Sequence, residues 1–344
     1  MTSTLVTHEG SMSEYRRILE NPKPGPEALA RSLRGNLFSE NGKAVVAIVR
    51  SDGRRAGIRE ALRLIGGLGS LVHGVKGEIV IKPNCNTDDP FPRNSHPETV
   101  RVLVESLIEG GFQAGSIVVG DMSGRYRGLP TRNTMANMGL NQVAEELGIR
   151  LSYFEEEDWV TVKPPASRAW PEGIKIPRCI YEAERVILTP VMRTHDDATF
   201  TISMKLAVGL IDAAEREWLH NGVDFFEKML ELNLAFSTDL VVTDALASFV
   251  DHPPRHRQFV KPGILIASGN RVAADAAGVA IMKHYGAYGI AGNPVLGQKQ
   301  LILADKLGLG KPYAEDMVLK TSNLAGDKSF EDLVLEIKTE LTEQ

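Results

Sequence analysis

Cysteine is scarce in this chain. There are two, Cys85 and Cys179, in 344 residues, and no CxxC pair. Two thiols cannot complete a four-cysteine zinc site or iron–sulfur cluster within one chain. A disulfide framework is not expected either, and two reduced thiols fit a cytoplasmic protein. Long apolar runs are also missing. None approaches the ~20 residues that a membrane-spanning helix needs. The first residues, MTSTLVTHEGSMSEYRRILE, lack the basic-then-apolar order of a signal peptide. There is no basic surplus: 39 Lys and Arg stand against 44 Asp and Glu, a formal net charge of −5. That excludes a general nucleic-acid binder and still allows a local basic pocket for a small anion. GxGxxG, P-loop, HExxH and GxSxG motifs are absent, so no standard nucleotide, zinc-protease or serine-hydrolase site is expected.

What is present reads as a globular α/β chain. Apolar residues make up 43% and charged residues 24%, enough for a substantial core. Residues 1–42 read as an N-terminal extension, with short helices over Ser13–Leu19 and Glu27–Leu33. From Ala44–Val49 onward, short apolar runs alternate with helical stripes: strand, helix (Ile58–Leu68), strand (Glu78–Ile81), helix (from Pro97 to Glu109), strand (Ser116–Gly120). Crossovers of this length favour parallel strands. The fold class expected is therefore α/β, a largely parallel, doubly wound sheet with helices on both faces. The core is expected over 43–312, in two lobes of 43–154 and 178–312. A Pro-rich excursion over 155–177 separates them, its acidic run Glu155–Asp158 taken as a solvated face. A C-terminal strand and helix over 313–344 completes the chain.

In doubly wound sheets ligands sit beyond the carboxyl ends of the strands. Four such ends carry polar groups: Lys82 and Asn84; Asp121, Ser123 and Gly124; Arg193 with His195, Asp196 and Asp197; and Asp244. Lys82 and Arg193 are suited to an anion, with Asn84, Ser123 and Gly124 as hydrogen-bonding partners. The plain alternatives are a snorkelling Lys82 and a turn-forming Asn84. His195, flanked by a cation and two carboxylates, is the leading proton-transfer candidate. Lys205 joins it only if buried. Asp121 and Asp244 would orient these groups. His96, Asp121, His195 and Asp244 could also hold a divalent metal (zinc, iron or manganese), although His96 before Pro97-Glu98 equally suits a helix cap. The basic loop His252–Arg257 is a candidate anion gate, or only a solvated loop.

These residues resemble the family called domain of unknown function 362. The resemblance runs from about Val45 to His284. It is carried by Ile81-Lys82-Pro83-Asn84, Ser95-His96-Pro97, Gly120-Asp121-Met122-Ser123-Gly124, Arg193-Thr194-His195, Ser203-Met204-Lys205, Val242-Thr243-Asp244 and Ala274-Asp275-Ala276. The family usually has leucine where Cys85 stands, lysine for Arg193 and asparagine for Leu206. Many members carry ferredoxin-like cysteine repeats, which this chain lacks. The family is distantly similar to lactate-racemase-like proteins, which act on small hydroxy acids with a nickel pincer cofactor.

Three functions are expected to compete. The first is an enzyme acting on a small anionic molecule by isomerase, lyase or hydrolase chemistry. The second is a non-catalytic binder of a small ligand or metallocofactor. The third is a homodimer sharing an iron–sulfur cluster through Cys85 and Cys179 of each chain.

Overall fold

The computed structural model describes residues 5–252 and 258–342. In chain order the first elements are α1 (His8–Glu20), β1 (Glu27–Ala28), β2 (Ser39–Glu40), β3 (Lys43–Arg50), α2 (Arg54–Leu64), α3 (Gly69–Val72), β4 (Ile79–Pro83) and α4 (Pro97–Glu109). Next come β5 (Ile117–Asp121), α5 (Thr131–Asn137), α6 (Leu140–Leu147), β6 (Arg150–Tyr153), β7 (Trp159–Val162), β8 (Ile174–Pro177) and α7 (Arg178–Glu182). The middle holds β9 (Arg185–Thr189), β10 (Val191–His195), β11 (Thr199–Thr201), α8 (Ser203–Leu206), α9 (Ala213–His220) and α10 (Phe225–Glu231). The last are β12 (Leu240–Phe249), β13 (Phe259–Val260), β14 (Ile264–Ser268), α11 (Arg271–His284), α12 (Lys299–Lys306), β15 (Met317–Asn323) and α13 (Phe330–Glu340).

The chain forms two compact units. Unit 1 comprises residues 1–33, 74–186 and 207–237; unit 2 comprises 34–73, 187–206 and 238–344. Each is assembled from three separate stretches, where the sequence reading divided the chain into consecutive lobes.

In unit 1, β4, β5 and β6 are parallel neighbours, joined by helical crossovers. Every residue of β4 and β5 is buried, as a parallel strand covered on both faces requires. Val100, Leu103, Val104 and Leu107 give α4 its buried stripe. Gly139 takes φ 85° between α5 and α6. The Pro-rich excursion forms a β7–β8 antiparallel pair, extended by β1. Residues 27–28 are therefore strand, not the expected helix start, and the Pro26 carbonyl accepts from Thr161 N–H at 3.0 Å. The acidic run is not wholly solvated. Glu155 is buried, and its Oε1 accepts from Thr131 N–H at 2.7 Å.

In unit 2, β3 has β15 parallel on one side and β14 antiparallel on the other. β12 lies antiparallel to β14, then parallel to β9 and β10. The α/β class and the largely parallel strands stand as expected, with β14 reversed. Pro190 does not end the expected strand region. The chain continues as β10 and turns back as β11, with Arg193 opposite Thr201, Thr194 opposite Phe200 and His195 opposite Thr199. The Gln300 amide holds this hairpin through the carbonyls of Ala198 and Phe200, at 2.5 and 3.0 Å. Of the expected basic gate, residues 253–257 lie outside the described residues. His252 packs its ring on Tyr288, with centroids 4.2 Å apart.

Candidate functional site

In unit 1 the end of β4 and the end of β5 meet in one buried ion pair. Lys82 Nζ lies 2.7 Å from Asp121 Oδ1, and both side chains are nearly inaccessible, at 1% and 3%. Asp121 also accepts from the Cys85 amide at Oδ2 (2.7 Å) and from the Met122 amide at Oδ1 (2.8 Å). Two charges buried together need such extra hydrogen bonds to offset their lost hydration. Lys82 donates further to the Pro83 carbonyl at 3.2 Å. The backbone at Gly209 passes so close that a Cβ there would run into Lys82 Nζ and Asp121 Oδ1.

The loop after β5 is closed on itself. The Met122 amide goes to Asp121, the Ser123 amide to Thr131 Oγ1 (2.8 Å), and the Gly124 amide to the Asn86 carbonyl (2.8 Å). The Ser123 hydroxyl donates to the Cys85 carbonyl at 2.6 Å. These amides are spent inside the protein, so the expected cradle for an anion at Ser123 and Gly124 is not open. The glycines serve packing: a Cβ at Gly120 would strike the Phe154 ring, and one at Gly124 would strike Asn86. Arg216, on α9, fixes the loop from below through the carbonyls of Ser123 (2.6 Å) and Met122 (2.7 Å). Sequence reasoning missed Arg216, which looks like any charge on a surface helix. Asn84 is buried, its amide held by Ser95 Oγ at 2.8 Å. His96 caps α4, its Nδ1 accepting from the Glu98 amide at 3.1 Å.

Unit 2 holds the second group. Arg193 and His195 sit two apart on β10, so they share a face, and the register places Thr201 opposite one and Thr199 opposite the other. Arg193 is 9% exposed; Thr201 is buried, with an Oγ1 that has no hydrogen-bond partner. Thr199 takes φ 66°, a costly conformation for a β-branched residue, and such strain gathers at functional sites. His195 is half-buried, and its Nδ1 accepts from the Ala198 amide at 3.3 Å. Asp196 and Asp197 are exposed, on the hairpin turn.

Lys205 follows on α8 and is 8% exposed, which settles the burial question left by the sequence. Asp275, on α11, lies beneath α8. It is fully buried and accepts from the Ser203 amide (2.9 Å), the Ser203 hydroxyl (2.5 Å) and the Met204 amide (3.0 Å). Burial pushes its carboxyl up to about 6 against the pull of these donors and of Arg271. The lone acid in Ala274-Asp275-Ala276 was the available signal, but no role was read from it. Asp244 is held at both oxygens: its Oδ2 accepts from Arg54 Nε at 2.6 Å and its Oδ1 from the Leu246 amide at 3.2 Å.

Among the described residues, no group of three or more His, Cys, Asp or Glu side chains is placed to hold a metal ion. His96, Asp121, His195 and Asp244 do not form the expected metal set. Cys85 is fully buried and its thiol is pushed well up by desolvation, while burial pushes the Cys179 thiol up to about 12. Of the two, only Cys179 is partly exposed.

The strand order defines an α/β protein with a large, mostly parallel sheet. The domain of unknown function DUF362 matches residues 79–280, more than half of the chain, and the chain belongs to that family. It is similar to the thylakoid-associated protein sll1697 of Synechocystis sp., at 25% identity over 244 residues, which are 67% of this chain and 72% of that protein. Among solved structures, the lactate racemase apoprotein from Thermoanaerobacterium thermosaccharolyticum aligns with a TM-score of 0.45 and 13% identity. The alignment covers 76% of this chain and 62% of that one, so less than two thirds of the racemase is spanned. Among the described residues, no helix is long and apolar enough to cross a membrane.

Proposed function

We propose that the chain is an enzyme that acts on a small anionic organic molecule by acid–base chemistry, with its site on the β10–β11–α8 segment of unit 2. The observation that carries this reading is the placing of Arg193 and Lys205, both about nine-tenths buried, on adjoining elements that also present His195. Buried cations favour an anion beside them, because a low-dielectric surround strengthens their attraction. The strained Thr199 opposite His195 and the open hydroxyl of Thr201 support the same place.

Arg193 would hold the anion, and its planar fork suits a carboxylate. His195 and Lys205 would exchange a proton with the substrate: one takes it from a carbon or oxygen, and the other returns it. The class of the substrate is a small carboxylate; isomerase and lyase chemistry begin with such a transfer, and in a hydrolase the same base would take the proton from water and the acid would return it to the leaving group.

A panel of small carboxylates, including 2-hydroxy acids, tests this by calorimetry and by NMR detection of proton–deuterium exchange at substrate carbons. At least one member is expected to bind and exchange. Arg193→Ala should weaken binding by about 1.5–3 kcal/mol, the worth of a charged hydrogen bond. His195→Ala should abolish exchange while leaving affinity nearly unchanged. Exchange that persists in His195→Ala sinks the assignment. Binding without exchange in any variant would leave a non-catalytic binder.

A further inference from the structure

The helix α8 is one turn long, Ser203–Leu206, and cannot satisfy its own first amides. α11 does this instead. The Ser203 amide, the Ser203 hydroxyl and the Met204 amide all end on Asp275. The Ser203 hydroxyl also reaches the Arg271 carbonyl, at 3.3 Å, one turn earlier on α11. One turn later stands Gly278, where a Cβ would meet Ile202 Cδ1 at 2.7 Å. So α11 grips the residues just before Lys205 by a carboxylate and by close backbone approach together.

A carboxylate is an expensive choice here. Asp275 is fully buried, and desolvation outweighs its hydrogen bonds and the nearby Arg271. The wider charge set is balanced, since Asp239 near Arg271 is itself forked by Arg34, at 2.8 and 2.5 Å. A neutral side chain would be easier to bury. What only the carboxylate offers is two accepting oxygens. An amide nitrogen in place of Oδ2 would face the Met204 N–H donor to donor.

We propose that Asp275 is a positioning residue: it fixes the turn Ser203–Leu206 and thereby the backbone from which Lys205 projects. Its functional meaning rests on the reading of Lys205 given above; its geometry does not.

The test labels lysines of the full-length protein with an amine-reactive acetyl ester and reads each site by mass spectrometry. No substrate is needed, and Lys82 is the internal standard. Labelling of a buried lysine follows local opening, so Asp275→Asn should label Lys205 about tenfold faster with Lys82 unchanged. Ser203→Ala, which removes one of the three donors, should fall between. Asp275→Glu, which keeps both accepting oxygens, should label more slowly than Asp275→Asn. Equal labelling of Lys205 in wild type and Asp275→Asn overturns the proposal, as does a parallel rise at Lys82, which would mark general loosening. Should Asp275→Asn fail to fold, Ser203→Ala decides: unchanged Lys205 labelling overturns the proposal. A carboxylate panel without binders would sink the functional reading and leave this result standing.

Discussion

Asp275 carries a pH dependence that can be measured apart from any activity. Its folded carboxyl titrates at about 6 instead of the usual 3.8. Between those values the folded chain holds a proton that the unfolded chain has released. The stability contributed by this group is therefore present in acid and declines as pH rises through that window, by up to roughly 3 kcal/mol. Asparagine has no proton to lose. Urea unfolding from about pH 4 to pH 6.5 should show this decline in wild type and a shallower one in Asp275→Asn; identical slopes would contradict it. Residue chemistry was legible from sequence in kind but not in partnership. Lys82 and Asp121 were both read as site residues, and they are joined to each other. Asp244 was read as free to orient a catalyst and is held by Arg54. Hydrogen-bond partners distant in sequence leave no local trace in composition or periodicity.

The elements that announced themselves by period were found within a few residues. β3, β4 and β5 are built on the apolar runs, and α4 is where its stripe placed it. The orientation of β14 was not legible, because a strand buried on both faces reads the same in either direction. β10 was missed because Arg193 and His195 were read as lying beyond a strand end, whereas the chain resumes as a strand just after Pro190. The helix α1 was read only as part of an extension, yet it is tied to the loop after β5. Ser11 Oγ donates to the Arg125 carbonyl (2.7 Å) and accepts from the amides of Gly128 (3.1 Å) and Leu129 (3.0 Å). Ser11→Ala takes the Ser11 acceptor from the buried Leu129 amide, while Gly128 keeps its bond to the Gly124 carbonyl at 3.0 Å, and should cost about 1–3 kcal/mol. Hydrogen exchange should quicken first at Leu129; unchanged exchange there would show that α1 does not hold the loop.

At the scale of the molecule, each unit draws on separate parts of the chain. The segment 313–344 is short and near the terminus, but it supplies β15 to the sheet of unit 2 and buries Phe330, Leu333, Ile337 and Leu341. Its removal would strip one edge of β3 and expose that apolar surface. A chain ending at residue 312 is expected to lose cooperative thermal unfolding of unit 2 and to aggregate. A soluble truncation with an unchanged melting transition would refute this.

The pairing of β3 with β15 also bears on synthesis. Lys43–Arg50 leaves the ribosome well before its parallel partner Met317–Asn323. Until then one flank of β3 stays without its native neighbour, apolar on both faces and able to recruit strands from other nascent chains. Contacts this remote along the sequence form slowly. The nascent protein is thus exposed to misassociation throughout the interval between the synthesis of β3 and that of β15, and a chaperone that shields an apolar strand would raise its yield.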